Sequence, residues 1–407
     1  MKRIAIIGLF FCHQVAFAVN GASSPSVVVR TTNGTELRGV LQSLKSDGTL
    51  SVAVDSKAQQ IAGDNVVTLR QVAQKLPPFP VGEQAVLVNG DRFPVEGVGL
   101  EGDKLRMRGA LFGKAIQLPL AAVAVWWRTA PDDVELPDRF LRRLATKDRR
   151  RDLVHLRNGD VLEGVLEAID QGKIQIEVNK KSVTAKLNQV AAVAPASEST
   201  NALAHKGFAI LLTLTNGVRL TLASAASADG VQLDAVTVFG AKIHVPLMEV
   251  AALDYLNDGI VYLSDLKSVS GNEAAPYLGT DSFPWPVVAN ANVMERDMRL
   301  AGSTYAKGLG LHSPARVRYA LNGSFRRFEA RVGLDDVTGR RGSVRIRVLG
   351  DGKPLHIGFD QELTAKNGPI KVRANVAGVK ELTLQVDCGR GGDVQDHVNW
   401  AGAKVIR

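Results

Sequence analysis

Short apolar runs that end in Asn-Gly recur through the first two thirds of the chain. The dipeptide stands at Asn33-Gly34, Asn89-Gly90, Asn158-Gly159 and Asn216-Gly217, each after an apolar-rich run such as residues 27–29. Because both residues accept the positive φ of a type I′ turn, Asn-Gly between such runs predicts a β-hairpin. Further glycines follow in phase with the dipeptides, and the four segments therefore form a repeat: Gly39, Gly97 and Gly164, then Gly48, Gly102, Gly172 and Gly230.

The repeated unit predicts a small closed β-barrel. Each unit has roughly 50–60 residues and four or five short strands, too few for a stable open sheet, whereas closure removes the exposed strand edges. The glycine inside the second strand would let that strand curl through both halves of the barrel. The predicted barrels span residues 26–76, 82–129, 151–195 and 207–257.

Residues 130–150 form a basic connection between the second and third units. Seven basic residues fall between positions 139 and 151. One interpretation is a patch for an anionic polymer or a membrane surface. The interpretation we favour is a solvated helix or linker in which Phe140, Leu141 and Leu144 dock on a neighbouring barrel.

The pattern changes after Gly259. Period-two alternation predicts strands near 317–321, 326–332, 344–349, 370–376, 381–386 and 403–406, separated by turns such as Asn322-Gly323 and Asp351-Gly352. Some eight strands in about 150 residues indicate a jelly-roll β-sandwich over 259–407. The chain is therefore predicted to be all-β, with tandem small barrels followed by a sandwich.

The N-terminus is typical of a secretory signal. Lys2 and Arg3 precede an apolar stretch and the cleavage-site pattern Ala16-Phe17-Ala18, so residues 1–18 are predicted to be removed on export to the periplasm, the cell surface or the medium. A lipoprotein signal at Cys12 is disfavoured by Phe11, and no later stretch is long enough for a transmembrane helix. Cleavage would leave Cys388 as a lone cysteine and exclude an internal disulfide.

Composition narrows the function only slightly. With 45% hydrophobic and 22% charged residues the chain is globular, and its net charge of +9 suits acidic polymers, lipid surfaces or nucleic acid equally.

Several motifs of the C-terminal segment match one known family. They include Tyr305-Ala-Lys-Gly-Leu-Gly-Leu-His-Ser313, Val332-Gly-Leu-Asp-Asp336, Leu349-Gly-Asp-Gly-Lys353 and Asp396-His-Val-Asn-Trp400. The segment resembles the NPCBM family, the carbohydrate-binding module often attached to family 98 glycoside hydrolases. The resemblance implies a galactose-binding-like jelly roll that binds a glycan. The barrel units show a weaker resemblance to Sm-like and SH3-like barrels, without the RNA-binding residues of the Sm family, so no nucleic-acid partner is expected.

The resemblance places candidate ligands in the sandwich. Carbohydrate contacts are expected from Trp285, His312, Asp335 and Asp336, although each also suits a structural role as core aromatic, buried histidine or turn cap. The family further implies a structural Ca²⁺, for which Asp393 and Asp396 are the candidate ligands. Trp400 is expected in the core, and His397 is expected to orient its loop.

Three hypotheses of function follow from these observations. The first is an exported, non-catalytic protein that binds carbohydrate, with galactose-type glycans as candidate ligands. The second is a structural or interaction protein of the cell envelope with protein partners at the barrels and no sugar binding. The third, an enzyme, is disfavoured because no known catalytic motif and no strand–helix barrel occurs.

Overall fold

The computed structural model describes residues 24–407 except 147, 171, 198–202, 204, 206, 270–284, 340 and 356–361. The predicted signal segment 1–18 and Cys12 lie outside the described residues. Within these ranges, no helix has the length and hydrophobicity needed to traverse a bilayer.

The predicted all-β fold class is confirmed. Each repeat folds into an antiparallel barrel in which the first strand pairs with both the second and the last strand. A single 3₁₀ turn leads into the last strand of each barrel. The strands are β1 Ser26–Thr31, β2 Glu36–Leu44, β3 Leu50–Val54, β4 Lys57–Ile61, β5 Val66–Gln71, β6 Gln84–Leu87, β7 Arg92–Pro94, β8 Gly97–Glu101, β9 Lys104–Arg108, β10 Ile116–Pro119, β11 Val123–Trp127, β12 Asp152–Leu156, β13 Val161–Asp170, β14 Lys173–Val178, β15 Lys181–Lys186, β16 Val190–Ala194, β17 Ala209–Leu214, β18 Arg219–Ala226, β19 Gln232–Thr237, β20 Lys242–Pro246 and β21 Val250–Leu256.

The glycine inside the second strand lies where that strand changes partners. In β13, residues up to Gly164 pair with β12, and pairing with β14 begins at the next residue. A Cβ at Gly164 would lie 1.9 Å from the carbonyl oxygen of Glu177, and one at Gly39 would lie 2.2 Å from that of Ala53. The second barrel instead breaks this strand into β7 and β8. The fourth barrel has Ala223 at this position, and Ala223 has no partner in the pairing of β18 with β19.

The barrels associate in two pairs through their last strands. Strand β5 of the first barrel pairs with β21 of the fourth, with Leu69 opposite Leu253. Strand β11 of the second barrel pairs with β16 of the third, with Trp126 opposite Val193. The pairing therefore does not follow the order of the chain, because the last strand of the first barrel pairs with that of the fourth.

The basic connection contains the single α-helix among the described residues, α1 Pro137–Thr146. Leu141 and Leu144 are buried in one cluster with Trp127 of β11. On the opposite side, Arg139 and Arg143 form ion pairs of 3.2 and 2.5 Å with Glu295 of the C-terminal segment. Arg142 also donates to the carbonyl of Ala289 at 2.8 Å. The helix thus docks as the favoured interpretation predicted, and all three of its arginines have protein partners.

The C-terminal segment is a sandwich of two antiparallel sheets. One has the order β23-β26-β34-β28-β32 with β22 beside β34, and the other has the order β27-β33-β29-β30 with β31 beside β29. Trp400 is fully buried between them, 6.2 Å from the ring of Phe328. The strands are β22 Ile260–Tyr262, β23 Val288–Ala289, β24 Met298–Leu300, β25 Ser303–Tyr305, β26 Gly308–His312, β27 Ala315–Ala320, β28 Arg327–Leu334, β29 Ser343–Gly350, β30 Lys353–Pro354, β31 Leu363–Thr364, β32 Ile370–Asn375, β33 Glu381–Cys388 and β34 His397–Ile406.

Candidate functional site

Three aromatic rings meet where β26 ends and β34 begins. Antiparallel pairing sets His312 directly opposite His397. The indole of Trp285 stacks on the His312 ring, with 4.6 Å between ring centroids and 13° between planes. The His397 ring lies 5.5 Å from His312 and 6.2 Å from Trp285. We call these three residues the aromatic cluster.

Close backbone packing holds β26 in this position. A Cβ at Gly310 would lie 2.4–2.5 Å from backbone atoms of residues 291–293, and one at Gly308 would lie 2.5 Å from the carbonyl oxygen of Trp400. Side chains at these positions would push β26 away from β34 and from the preceding loop. The two glycines of the Gly-Leu-Gly motif therefore serve the fold that presents the cluster.

Exposure differs sharply within the cluster. Trp285 is 40% exposed, whereas His312 is only 5% exposed and His397 is half-buried. His312 covers one face of the indole and leaves Trp285 as the ring that a ligand can reach. An exposed aromatic ring of this kind can pack against the C–H groups of a pyranose.

The hydrogen bonding of His312 defines its tautomer. Its Nδ1 lies 2.6 Å from the carbonyl oxygen of Ser313, which can only accept, so Nδ1 carries the proton and donates. Burial lowers the pKa of His312. Burial lowers the pKa of His397, and a proton on His312 would lower it further. Both rings are therefore neutral at pH 7, and the platform beneath Trp285 carries no charge.

The two predicted acidic contacts are engaged by the protein itself. Buried Asp335 accepts hydrogen bonds from the N–H groups of Arg299 (3.0 Å) and Val337 (3.1 Å) and from Nδ2 of Asn399 (2.5 Å). Its own N–H donates to the carbonyl of His397 at 2.9 Å. Asp335 therefore fixes the strand end beside the cluster.

Asp336 is exposed and has a similar structural role. Its two carboxylate oxygens accept from the N–H groups of Ala301 and Gly302, both at 2.7 Å. These donors form the turn between β24 and β25, so Asp336 clamps that hairpin to the end of β28. The structure does not bring Asp336 into the aromatic cluster.

The candidate calcium ligands do not form a cage of carboxylates. Asp396 is fully buried, and it accepts from the hydroxyl of Ser313 and from the N–H of Ser343 at 2.7 Å. Burial raises the pKa of Asp396 to about 6. Asp393 is exposed, and the part of the chain that the structure describes holds no group of three or more His, Cys, Asp or Glu able to bind a metal. Side-chain ligands from Asp393 and Asp396 alone do not form a Ca²⁺ site among the described residues, and the expected Ca²⁺ stays a prediction.

His397 is the cluster member that sequence reasoning assigned to loop orientation alone. Its place beside His312 depends on the pairing of β26 with β34, two strands separated by most of the sandwich. Asp396-His397 before an apolar run predicts only that a strand begins there. It does not show that β26 lies opposite.

Known proteins match the segment that contains the cluster. The family model described as NPCBM/NEW2 domain matches residues 259–406. A protein of Renibacterium salmoninarum named "Putative endo-alpha-N-acetylgalactosaminidase" is 31% identical over 137 residues, which cover 32% of this chain and 9% of that protein. The chain thus spans less than a tenth of the length of this curated relative.

Two solved structures from Clostridium perfringens are also similar. One is CBM51 of GH95 in complex with methyl-galactose, 25% identical over 36% of this chain and 99% of that chain, with a TM-score of 0.31. The other is CBM51-2 with INT domains of ZmpB in complex with GlcNAc, 24% identical over 45% of this chain and 37% of that chain, also with a TM-score of 0.31. By the family match, the C-terminal sandwich, residues 259–406, is an NPCBM/NEW2 domain.

Proposed function

We propose that this protein is an exported, non-catalytic glycan-binding protein and that the aromatic cluster is its sugar-binding platform. The observation that carries the proposal is the stack of half-exposed Trp285 on buried, neutral His312 within an NPCBM/NEW2 domain. An uncharged aromatic platform suits a neutral sugar. Galactose-type glycans are the proposed ligands, because galactose presents C–H groups on one face and the similar protein is named for an N-acetylgalactosamine glycan.

The geometry around the cluster supports binding rather than hydrolysis. Glycoside hydrolysis in most families requires two carboxylates that flank the scissile bond, one of them free to give or take a proton. Asp335 is bonded to the His397 carbonyl through its own N–H, and three protein donors hold its carboxylate. The carboxyl of Asp396, next to His397 in the chain, is fully buried and is held by Ser313 and Ser343. The carboxylate of Asp336 is likewise held, by the hairpin turn.

A glycan array probed with the full chain tests the proposal. We expect binding to galactose-terminated glycans, and we expect Trp285→Ala to weaken it at least tenfold, which is about 1.4 kcal/mol. The melting temperature should change little, because an aromatic stack contributes about 0.5–1.5 kcal/mol. Repeating the array with EDTA also tests the expected Ca²⁺, since binding restored by Ca²⁺ but not by Mg²⁺ would confirm it.

His397→Ala should also weaken glycan binding, and His244→Ala is its matched control. His244 lies on β20 of the fourth barrel, where it is exposed and paired with Asp234 at 2.7 Å. An array without any bound glycan would reject the proposal and favour an interaction protein. That second candidate is supported by the edge pairing of the barrels and by the ion pairs that join them to the sandwich. Full binding by Trp285→Ala would reject the cluster as the site.

A further inference from the structure

A cavity of about 360 Å³ lies between the first barrel, the fourth barrel and the sandwich. Its walls include Arg30 of β1, Arg70 of β5, Asp254 of β21, Arg331 of β28 and Lys404 of β34. This volume is within the range of small-molecule sites and would hold a ligand of monosaccharide size. The cavity is separate in residues from the aromatic cluster.

The cavity wall is strongly basic. Five arginines and three lysines line it, against three carboxylates, those of Glu36, Asp254 and Glu329. All three carboxylates already have cationic partners. Glu36 pairs with Arg373 at 2.8 Å, Glu329 with Arg327 at 2.8 Å and Asp254 with Arg70 at 2.6 Å. The wall therefore keeps an excess of positive charge after its own ion pairs are formed.

Some N–H donors of these basic side chains have no hydrogen-bond acceptor among the described residues. The Nε of Arg331 and the Nη1 of Arg70 are buried without a hydrogen-bond acceptor. Lys404 is 5% exposed, and its Nζ lies 5.1 Å from the ring centroid of Tyr262. Burial lowers the pKa of Lys404 to about 8, so the ammonium form is still favoured at pH 7. Buried donors without an acceptor are unfavourable, and an anion in the cavity would supply the missing acceptors.

We propose that this cavity binds the carboxylate or phosphate group of a small anionic molecule, with Arg331, Arg70 and Lys404 as its donors. The planar guanidinium of Arg331 matches the two oxygens of such a group, and Lys404 adds a point charge. Because the donors belong to the first barrel and to the sandwich, the bound anion would connect the two.

Titration calorimetry on the full chain tests this site with four probes: glucuronate, glucose 6-phosphate, inorganic phosphate and neutral glucose. We expect at least one of the three anions to bind with a millimolar or lower Kd, and we expect no heat from glucose. Glucuronate alone would identify a carboxylate site, and the two phosphates alone a phosphate site. Inorganic phosphate also shows whether the sugar ring is needed.

Arg331→Gln should weaken anion binding at least tenfold, and Lys404→Met, which keeps the aliphatic stem, should do the same. Without ligand, Arg331→Gln should melt at or above the temperature of the wild type, because it removes a guanidinium whose buried Nε has no hydrogen-bond acceptor. Arg106→Gln is the matched control, since Arg106 is half-exposed on the second barrel and outside the cavity wall. Trp285→Ala should bind the anion as the wild type does, which separates this site from the glycan platform.

Two outcomes would overturn the proposal. The first is that none of the three anions binds at millimolar concentration. The second is that binding is unchanged in both Arg331→Gln and Lys404→Met.

Discussion

Replacing Asp335 by alanine separates a structural role of this carboxylate from a role in sugar binding. The carboxylate is buried and accepts three hydrogen bonds, from two backbone N–H groups and from Asn399. A hydrogen bond to a charged group contributes about 1.5–3 kcal/mol. Because the three share one acceptor, their effects are not additive, and we expect Asp335→Ala to cost about 3–6 kcal/mol in the free energy of unfolding.

Differential scanning calorimetry of the full chain measures this loss in the transition of the sandwich. For a domain of about 150 residues, 1 kcal/mol shifts the melting temperature by roughly 2–4 °C, so a fall of about 6 °C or more is expected. Asp336→Ala is the matched control. It also removes two bonds to backbone N–H groups, but these lie at the surface where water replaces them, and at most about 1 kcal/mol should be lost.

If Asp335→Ala melts within 2 °C of the wild type and yet loses glycan binding, its carboxylate contacts the sugar and the structural assignment is wrong.

Two further predictions concern the barrels and the pH dependence. Gly164→Ala should cost several kcal/mol in the free energy of unfolding, because its Cβ would meet the Glu177 carbonyl oxygen at 1.9 Å. Gly172→Ala in the same barrel, with open space around its Cβ, should cost about 1–2 kcal/mol from its positive φ alone, and equal losses in urea unfolding would contradict this. The raised pKa of Asp396, about 6, means that the folded state binds this proton more tightly than the unfolded chain. Its contribution to stability should therefore fall as pH rises from about 4 to 6 and stay constant above. Asp396→Asn should abolish this dependence, and a constant difference from the wild type over pH 4–6 would contradict it.

The repeat was predictable because its signals are local. Asn158-Gly159 lies in the predicted hairpin turn, but only Gly159 takes a positive φ (91°), so the turn is not of the expected type I′. Gly172 also takes a positive φ, and Gly164 marks the point where a strand changes partners. The pairing of β5 with β21 was not predictable. An edge strand carries the same N–H and C=O groups whichever strand lies beside it, so nothing in the residues of β5 names the fourth barrel as its partner.

The binding site shows the same limit. The Gly-Leu-Gly motif pointed to His312, and the structure finds that ring next to Trp285. The adjacent acids Asp335 and Asp336 looked alike in sequence. One is buried and the other exposed, because successive residues near a strand end face opposite sides and meet different donors. The donors of Asp336 belong to the hairpin of β24 and β25, and the sequence pattern alone does not show that this hairpin lies beside the end of β28.

The second barrel pairs with the third and the first pairs with the fourth, and this arrangement affects the order in which the chain folds. Barrels two and three are consecutive and can join as soon as the chain up to β16 is available to fold. The first barrel must wait for the fourth, because its contact from Arg70 to Asp254 spans 184 residues. Until then β5 presents an open edge, the kind of surface on which other chains assemble. We expect the first barrel to be the part of the nascent protein most dependent on protection by a chaperone.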